Sequence, residues 1–137
     1  MIDIEKSVGF LLAKAYQRAC AIFNEDFAHY DITPQQFGLL GFLWQQDGLS
    51  QTELSAKSHI DRTTMGGIID RLEKENLVER RHHPDDRRAY QVFLTDRGKS
   101  LEDELSAVAG RVQNKVNAPL TAEEQATLIR LLEKLRH

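Results

Sequence analysis

From Ser7 to Phe27 the apolar residues Val8, Leu12, Ala15, Ala19, Ile22 and Phe23 recur at helical spacing, while Phe10, Tyr16, Cys20 and Phe27 carry the apolar surface onto flanking faces. So wide an apolar circumference on one helix calls for a second covering surface, such as a partner subunit or a ligand. Thr33-Pro34 reads as an N-cap with proline at the first helical position, and it opens a helix to about Gln46 that Asp47-Gly48 ends. Ser50-Gln-Thr-Glu53 matches a capping box before a short helix over Leu54 to Lys57. Asp61 then caps a helix running to about Glu75, with Met65, Ile68, Ile69 and Leu72 at i, i+3, i+4 and i+7 as its core stripe.

Beyond that point the rhythm changes. Asn76 is placed as a left-handed stop, and LVERRH and AYQVFLT read as two short strands joined by the polar turn HPDDRR, a loop longer than a tight hairpin. Thr95 and Gly98 begin a long amphipathic helix through Leu101, Leu105, Val108, Val112 and Val116, which Pro119 stops. Thr121-Ala-Glu-Glu124 is another capping box, opening a last helix striped by Leu128, Leu131, Leu132 and Leu135. The predicted class is mainly α (α+β), with a helix-turn-helix followed by a wing at its centre. The whole chain, 1–137, is read as one domain, with a core over 31–98 and helical flanks over 1–30 and 99–137.

Composition adds exclusions. The longest apolar run, Phe37 to Trp44, is far below the roughly 20 residues that span a bilayer, and MIDIEK has no basic segment leading into an apolar one. The reading is therefore a cytoplasmic chain with no membrane partner. Cys20 is the single cysteine, so no disulfide closes within the chain, and it reads as a small core residue or, alternatively, a thiol sensor. The net charge is −3, but the excess of acid sits in residues 1–58, where 7 acidic groups face 4 basic ones. Because salt screens beyond about 8 Å, a mildly acidic chain can still hold a polyanion against a local cluster of cations.

Two such clusters stand out. Turning the core stripe of the fourth helix inward leaves Thr63, Gly67, Asp70 and Lys74 on the opposite face, with Thr64 and Arg71 on a flank. Arg62 and Arg71 suit phosphates, Thr63 and Thr64 suit bases or thymine methyls, and Gly67 permits close approach of the helix backbone. Its neighbour Gly66 fits either such an approach or tight packing on another helix. The second cluster, RRHHPDDRRAY, holds four arginines and two histidines in 11 residues. As neighbours on a strand, His82 and His83 would point to opposite faces, a poor arrangement for one metal, so no metal and no cofactor are expected. The remaining alternatives are a solvated turn or a finger that enters a minor groove.

The wing pattern D-x-R followed by V-x-L-T-x-x-G, here Asp86, Arg88, Val92, Leu94, Thr95 and Gly98, with DRLE and NLVER before it, resembles the MarR family of bacterial transcription regulators. The resemblance covers about 50 residues in detail and implies a DNA-binding regulator, commonly a repressor. It implies Arg88 in the minor groove, Arg87 near phosphates, and Asp86 bracing the wing. It also implies a homodimer joined through the first and last helices and bound to double-stranded DNA at a pseudo-palindromic operator. A small aromatic acid or phenol would release the DNA from a cleft to which Lys14, Arg18, His29 and Trp44 contribute. The peroxide-sensing branch of the family has its cysteine near the front of the first helix, where Gly9 stands here, so the redox role does not carry over to Cys20. A winged helix serving protein contacts alone is the competing reading. An enzyme is the other, although none of G-x-S-x-G, G-x-x-x-x-G-K-[ST], G-x-G-x-x-G or H-E-x-x-H occurs.

Overall fold

Short-range capping sets where each helix begins. In the computed structural model, which describes residues 1–136, Ser7 accepts the Phe10 N–H and opens α1 (Val8–Asp26) after a 3-10 turn at Ile4–Lys6. Thr33 and Gln36 form a capping box at α2 (Pro34–Gln45), and Ser50 and Glu53 form another at α3 (Gln51–Ser58). The capped register brings the start of α3 forward to Gln51, ahead of the expected Leu54. Asp61 caps α4 (Arg62–Lys74), and Asn76 takes the left-handed conformation that ends that segment. The chain continues as β1 (Val78–His83), β2 (Asp86–Leu94), α5 (Asp96–Ser100), α6 (Glu102–Asn117) and α7 (Ala122–Leu135).

Two expectations are corrected. His83 pairs with Asp86, so the strands close over Pro84 and Asp85 alone, and the register irregularity between His82 and His83 takes up the extra length. The hairpin is thus tight, where a long loop was expected. The segment after Thr95 is two helices instead of one: α5 ends at Leu101, whose N–H turns back to the Lys99 carbonyl before α6 begins.

The chain forms two compact units. In residues 30–106 the core gathers Leu40, Leu43, Leu54, Met65, Ile69, Leu72, Leu77 and Val92, each nearly sealed from solvent. The hairpin is tied down along β2. Gly48 N–H donates to the Val92 carbonyl, Val92 N–H to the Leu49 carbonyl and Leu94 N–H to Asp47 Oδ1, at 3.1, 2.9 and 2.8 Å. Its far end is held where Thr95 Oγ1 donates to the Asn76 carbonyl and Thr95 N–H to that of Leu77. Gly98 completes this junction, since a Cβ there would stand 2.2 Å from the Leu77 carbonyl oxygen.

The other unit joins residues 1–29 with those from Ala107 onward. Lys115 pairs with Asp26 at 2.8 Å, Arg18 donates to the Lys115 and Val116 carbonyls near the end of α6, and Phe23 stacks on Phe27 at 4.0 Å between centroids. The expected stripe of α1 is mostly open: only Phe23 is buried, while Val8, Leu11, Leu12 and Tyr16 are exposed. No residue of α7 is buried, so Leu128, Leu131, Leu132 and Leu135 are exposed as well. Leu12, Ile129, Leu132 and Leu135 line an apolar groove of about 470 Å³. Cys20 is half-buried, not core, and its contact with Tyr16 raises the phenol's pKa, chiefly through their hydrogen bond. Among the described residues no helix is long and apolar enough to cross a membrane.

Two helical glycines give opposite expectations. Gly98→Ala lowers stability by about 3 kcal/mol or more, because a backbone oxygen occupies the space. Gly67→Ala raises it by about 0.5–1 kcal/mol, because a Cβ there meets nothing within 4 Å and alanine favours the helix. Urea denaturation of both variants checks the pair.

Candidate nucleic-acid interface

Burial of Met65, Ile68, Ile69 and Leu72 orients α4, and every residue that remains outside on it is exposed except Gly66 and Glu73. Arg62, Thr63, Thr64, Gly67, Asp70, Arg71 and Lys74 thus form one polar surface without a large apolar group. The start of the helix is held by Asp61, whose Oδ1 accepts the Thr64 N–H at 2.8 Å and whose Oδ2 accepts the Thr64 hydroxyl at 2.9 Å. Those bonds hold the Asp61 carboxyl below the usual carboxylate range, the backbone bond foremost. They commit the Thr64 hydroxyl to the cap, so Thr63 carries the free hydroxyl at this end.

The four arginines of the hairpin divide into two kinds. Arg80 points inward, and its guanidinium meets Asp70, Glu73, Gln51 and the Gly66 carbonyl. Arg81 pairs with Glu79 and lies over the Phe93 ring, 4.3 Å from its centroid. Arg87 and Arg88 project from the other strand. Arg88 is 95% exposed, and Asp86 steadies it by accepting the Arg88 N–H at 2.9 Å while its carboxylate lies 3.6 Å from Arg88 Nε. His82 and His83 face the turn. His82 Nδ1 lies 2.8 Å from the Arg87 carbonyl and its ring packs on Tyr90, while His83 Nδ1 accepts the Asp85 N–H. Among the described residues no group of three His, Cys, Asp or Glu side chains is gathered as a metal would require.

Between the start of α3, the start of α4 and the hairpin lies a polar hollow of about 440 Å³. It is bordered by Gln51, Thr52, Arg62, Arg80, Arg88 and Tyr90. The start of α4 and the hairpin therefore meet at a cationic recess within one unit. Arg80, Gln51 and Glu73 are functional residues that the sequence expectations do not single out. The available signal was parity: Arg80 shares a strand face with buried Val78, and a charge on the inward side of a strand needs partners.

The residues assigned to an effector are placed as follows. Lys14 and Arg18 stand one turn apart on α1. Lys14 Nζ reaches Gln17 Oε1 at 3.4 Å and lies 5.4 Å from the Phe10 ring centroid, whereas the Arg18 guanidinium is engaged by the α6 carbonyls. His29 is exposed beyond the end of α1. Trp44 belongs to the other unit, where its indole N–H donates to the Gly98 carbonyl at 3.0 Å and its ring meets Phe37 edge-on.

The MarR family model matches residues 32–90. The chain is 35% identical over 133 residues to the HTH-type transcriptional repressor NicR of Pseudomonas putida, covering 97% of this chain and 84% of that one. A solved structure of BpsR from Bordetella bronchiseptica, whose DNA binding is regulated by 6-hydroxynicotinic acid, is 32% identical. It superimposes with a TM-score of 0.93 over 99% of this chain and 97% of that one. A mutant MarR from E. coli complexed with operator DNA is 28% identical, with a TM-score of 0.89 over 98% and 99% of the two chains.

The cap on α4 gives a pH signature. A carboxyl whose pKa is depressed by folding contributes stability that is full above its unfolded value of about 3.9 and is lost as the pH falls through the folded value. Asp61→Ala is expected to lower Tm clearly at pH 7, and the gap to the parent chain should narrow as the pH falls below the unfolded carboxyl value. Asp61→Asn, which keeps a capping oxygen, should lose less at pH 7. Thermal melts of the three proteins across that range check this.

Proposed function

The chain belongs to the MarR family, and from that premise we infer that it is a sequence-specific DNA-binding repressor whose hold on DNA a small aromatic acid weakens. The observation that carries the reading is the sorting of its cations. Arg80 and Arg81 are engaged by acidic partners, whereas among the described residues Arg62, Arg71 and Lys74 on α4 and Arg87 on the wing have no acidic oxygen within 4 Å. These groups, with Arg88, sit on the two elements that a winged helix lays against a duplex.

In this reading Thr63, Thr64 and Gly67 face the major groove, Arg62, Arg71, Lys74 and Arg87 neutralise phosphates, and Arg88, braced by Asp86, enters the minor groove. The exposed apolar faces of α1 and α7 support a homodimer formed by the segments 1–30 and 99–137 around the core 31–98. Its two recognition helices would sit one turn of DNA apart, roughly 34–36 Å, on a pseudo-palindromic operator. For the effector, the regulation of BpsR by a hydroxylated aromatic acid supports a ligand of that class. Within the unit that joins 1–29 to the segment from Ala107, Lys14 and His29 would serve as the polar anchors, with Arg18 holding α1 to the end of α6. Such a ligand releases DNA only if it binds the free dimer better than the bound one, and a coupling of about 1–3 kcal/mol suffices.

The test is a salt-dependent shift assay on a genomic fragment that the wild-type chain selects. Arg88→Ala should weaken binding and relax preference for A·T-rich flanks, and Arg71→Ala should weaken binding to all sequences alike. Each should lower the salt slope by about 1. A folded wild-type chain that prefers no fragment, or an Arg88→Ala protein with unchanged affinity and slope, overturns the reading.

A further inference from the structure

We propose that Arg80 is a positioning residue for DNA recognition: it acts through α3 and α4 to hold the reading helix and the wing in one fixed geometry, and does not itself bind phosphate. The proposal rests on the DNA-binding reading above and assigns that surface an internal clamp.

The geometry uses nearly all that an arginine offers. Arg80 Nη1 donates to Asp70 Oδ1 at 2.6 Å and to Glu73 Oε1 at 2.5 Å, Nη2 donates to the Gly66 carbonyl at 3.0 Å, and Nε donates to Gln51 Oε1 at 3.3 Å. Four of the five guanidinium N–H groups are thereby engaged. Its backbone N–H adds a bond to Glu73 Oε2 at 3.0 Å, so β1 is bound to α4 by main chain as well as side chain. The side chain is only 18% exposed, against 95% for Arg88. One residue of the wing thus ties the middle of α4 and the start of α3 together.

Gly66 belongs to the same clamp. A Cβ there would stand 3.3 Å from Gln51 Nε2 and 4.0 Å from Arg80 Nη2, so a bare helix backbone admits both side chains. The clamp also settles a charge conflict. Asp70 is 70% exposed on the face that would meet DNA and Glu73 lies close by, and Arg80 offsets two carboxylates that would otherwise repel phosphates. Lysine would keep the charge but lacks the planar fork that reaches four partners from one rigid group.

The test compares the wild-type chain with Arg80→Lys and Arg80→Met, all shown to be folded by circular dichroism. Each is titrated with its selected genomic fragment and with random-sequence DNA of equal length at one salt concentration. A clamp predicts that both variants lose about tenfold or more in the ratio of selective to random binding, because base readout depends on where α4 is held. Lysine should rescue little. Three results overturn the proposal: Arg80→Lys keeping the wild-type ratio, Arg80→Met weakening both DNAs by the same factor as a phosphate contact would, or a lowered Tm with the ratio unchanged. If the Arg80 variants do not fold, Glu73→Gln takes the charge and one acceptor oxygen from the same partner more gently. It should lower the ratio by about threefold, from loss of a charge-assisted bond, and an unchanged ratio overturns the clamp. A wild-type chain with no affinity for DNA overturns the functional reading along with it, whereas selective wild-type binding with an unaffected Arg80→Lys ratio overturns the clamp alone.

Discussion

Four side chains on one stripe of α4 carry the architecture of the unit over residues 30–106. Met65, Ile68, Ile69 and Leu72 are each no more than 7% exposed, and burying them fixes which side of the helix faces solvent. A turn of the helix by one residue would put an apolar group outside and a charge in the core, at a cost of several kcal/mol. The polar face follows from that constraint, as does the need to hold the wing beside it. The junction of Thr95, Leu77 and Gly98 secures the wing's base, and Arg80 joins its first strand to α4.

Electrostatics then separates structure from surface. Within the hairpin, arginines of the first strand are neutralised by Asp70, Glu73 and Glu79, while those of the second project outward. This division answers why a chain of net charge −3 carries so dense a cationic tip. Part of that tip is internal bracing, and the rest is the surface offered to a polyanion in the proposed function. The apolar faces of α1 and α7 are a different kind of surface, exposing Leu12, Leu128, Leu131 and Leu135, and in the proposed function a second copy of the chain covers them.

Much of this was legible because the signals are local. Thr33, Ser50, Asp61 and Thr121 cap helices through bonds to residues three positions away, so the starts of four helices can be read from short words. The outward face of α4 followed from the spacing of its core residues in the same way. Arg80 was not legible as a clamp, because its partners lie 7 to 29 positions away and only the fold brings them together. The tightness of the turn at Pro84 is not legible, since a strand irregularity between His82 and His83 leaves no mark in composition. The stripe of α7 was correctly seen as apolar, but periodicity does not say whether the covering surface belongs to the same chain.

In the proposed function the polar face of α4 and the tip of the wing present one surface to DNA. Tethered cleavage tests it most directly. With Cys20→Ser removing the chain's single cysteine, Thr63→Cys and Asp85→Cys each carry an iron chelate that cuts nearby DNA. The account predicts cuts from the Asp85 position at minor-groove segments flanking those from the Thr63 position, at fixed spacing on the selected fragment. Cleavage from either position that is uniform along the DNA, or no greater than that of the untethered reagent, would contradict it.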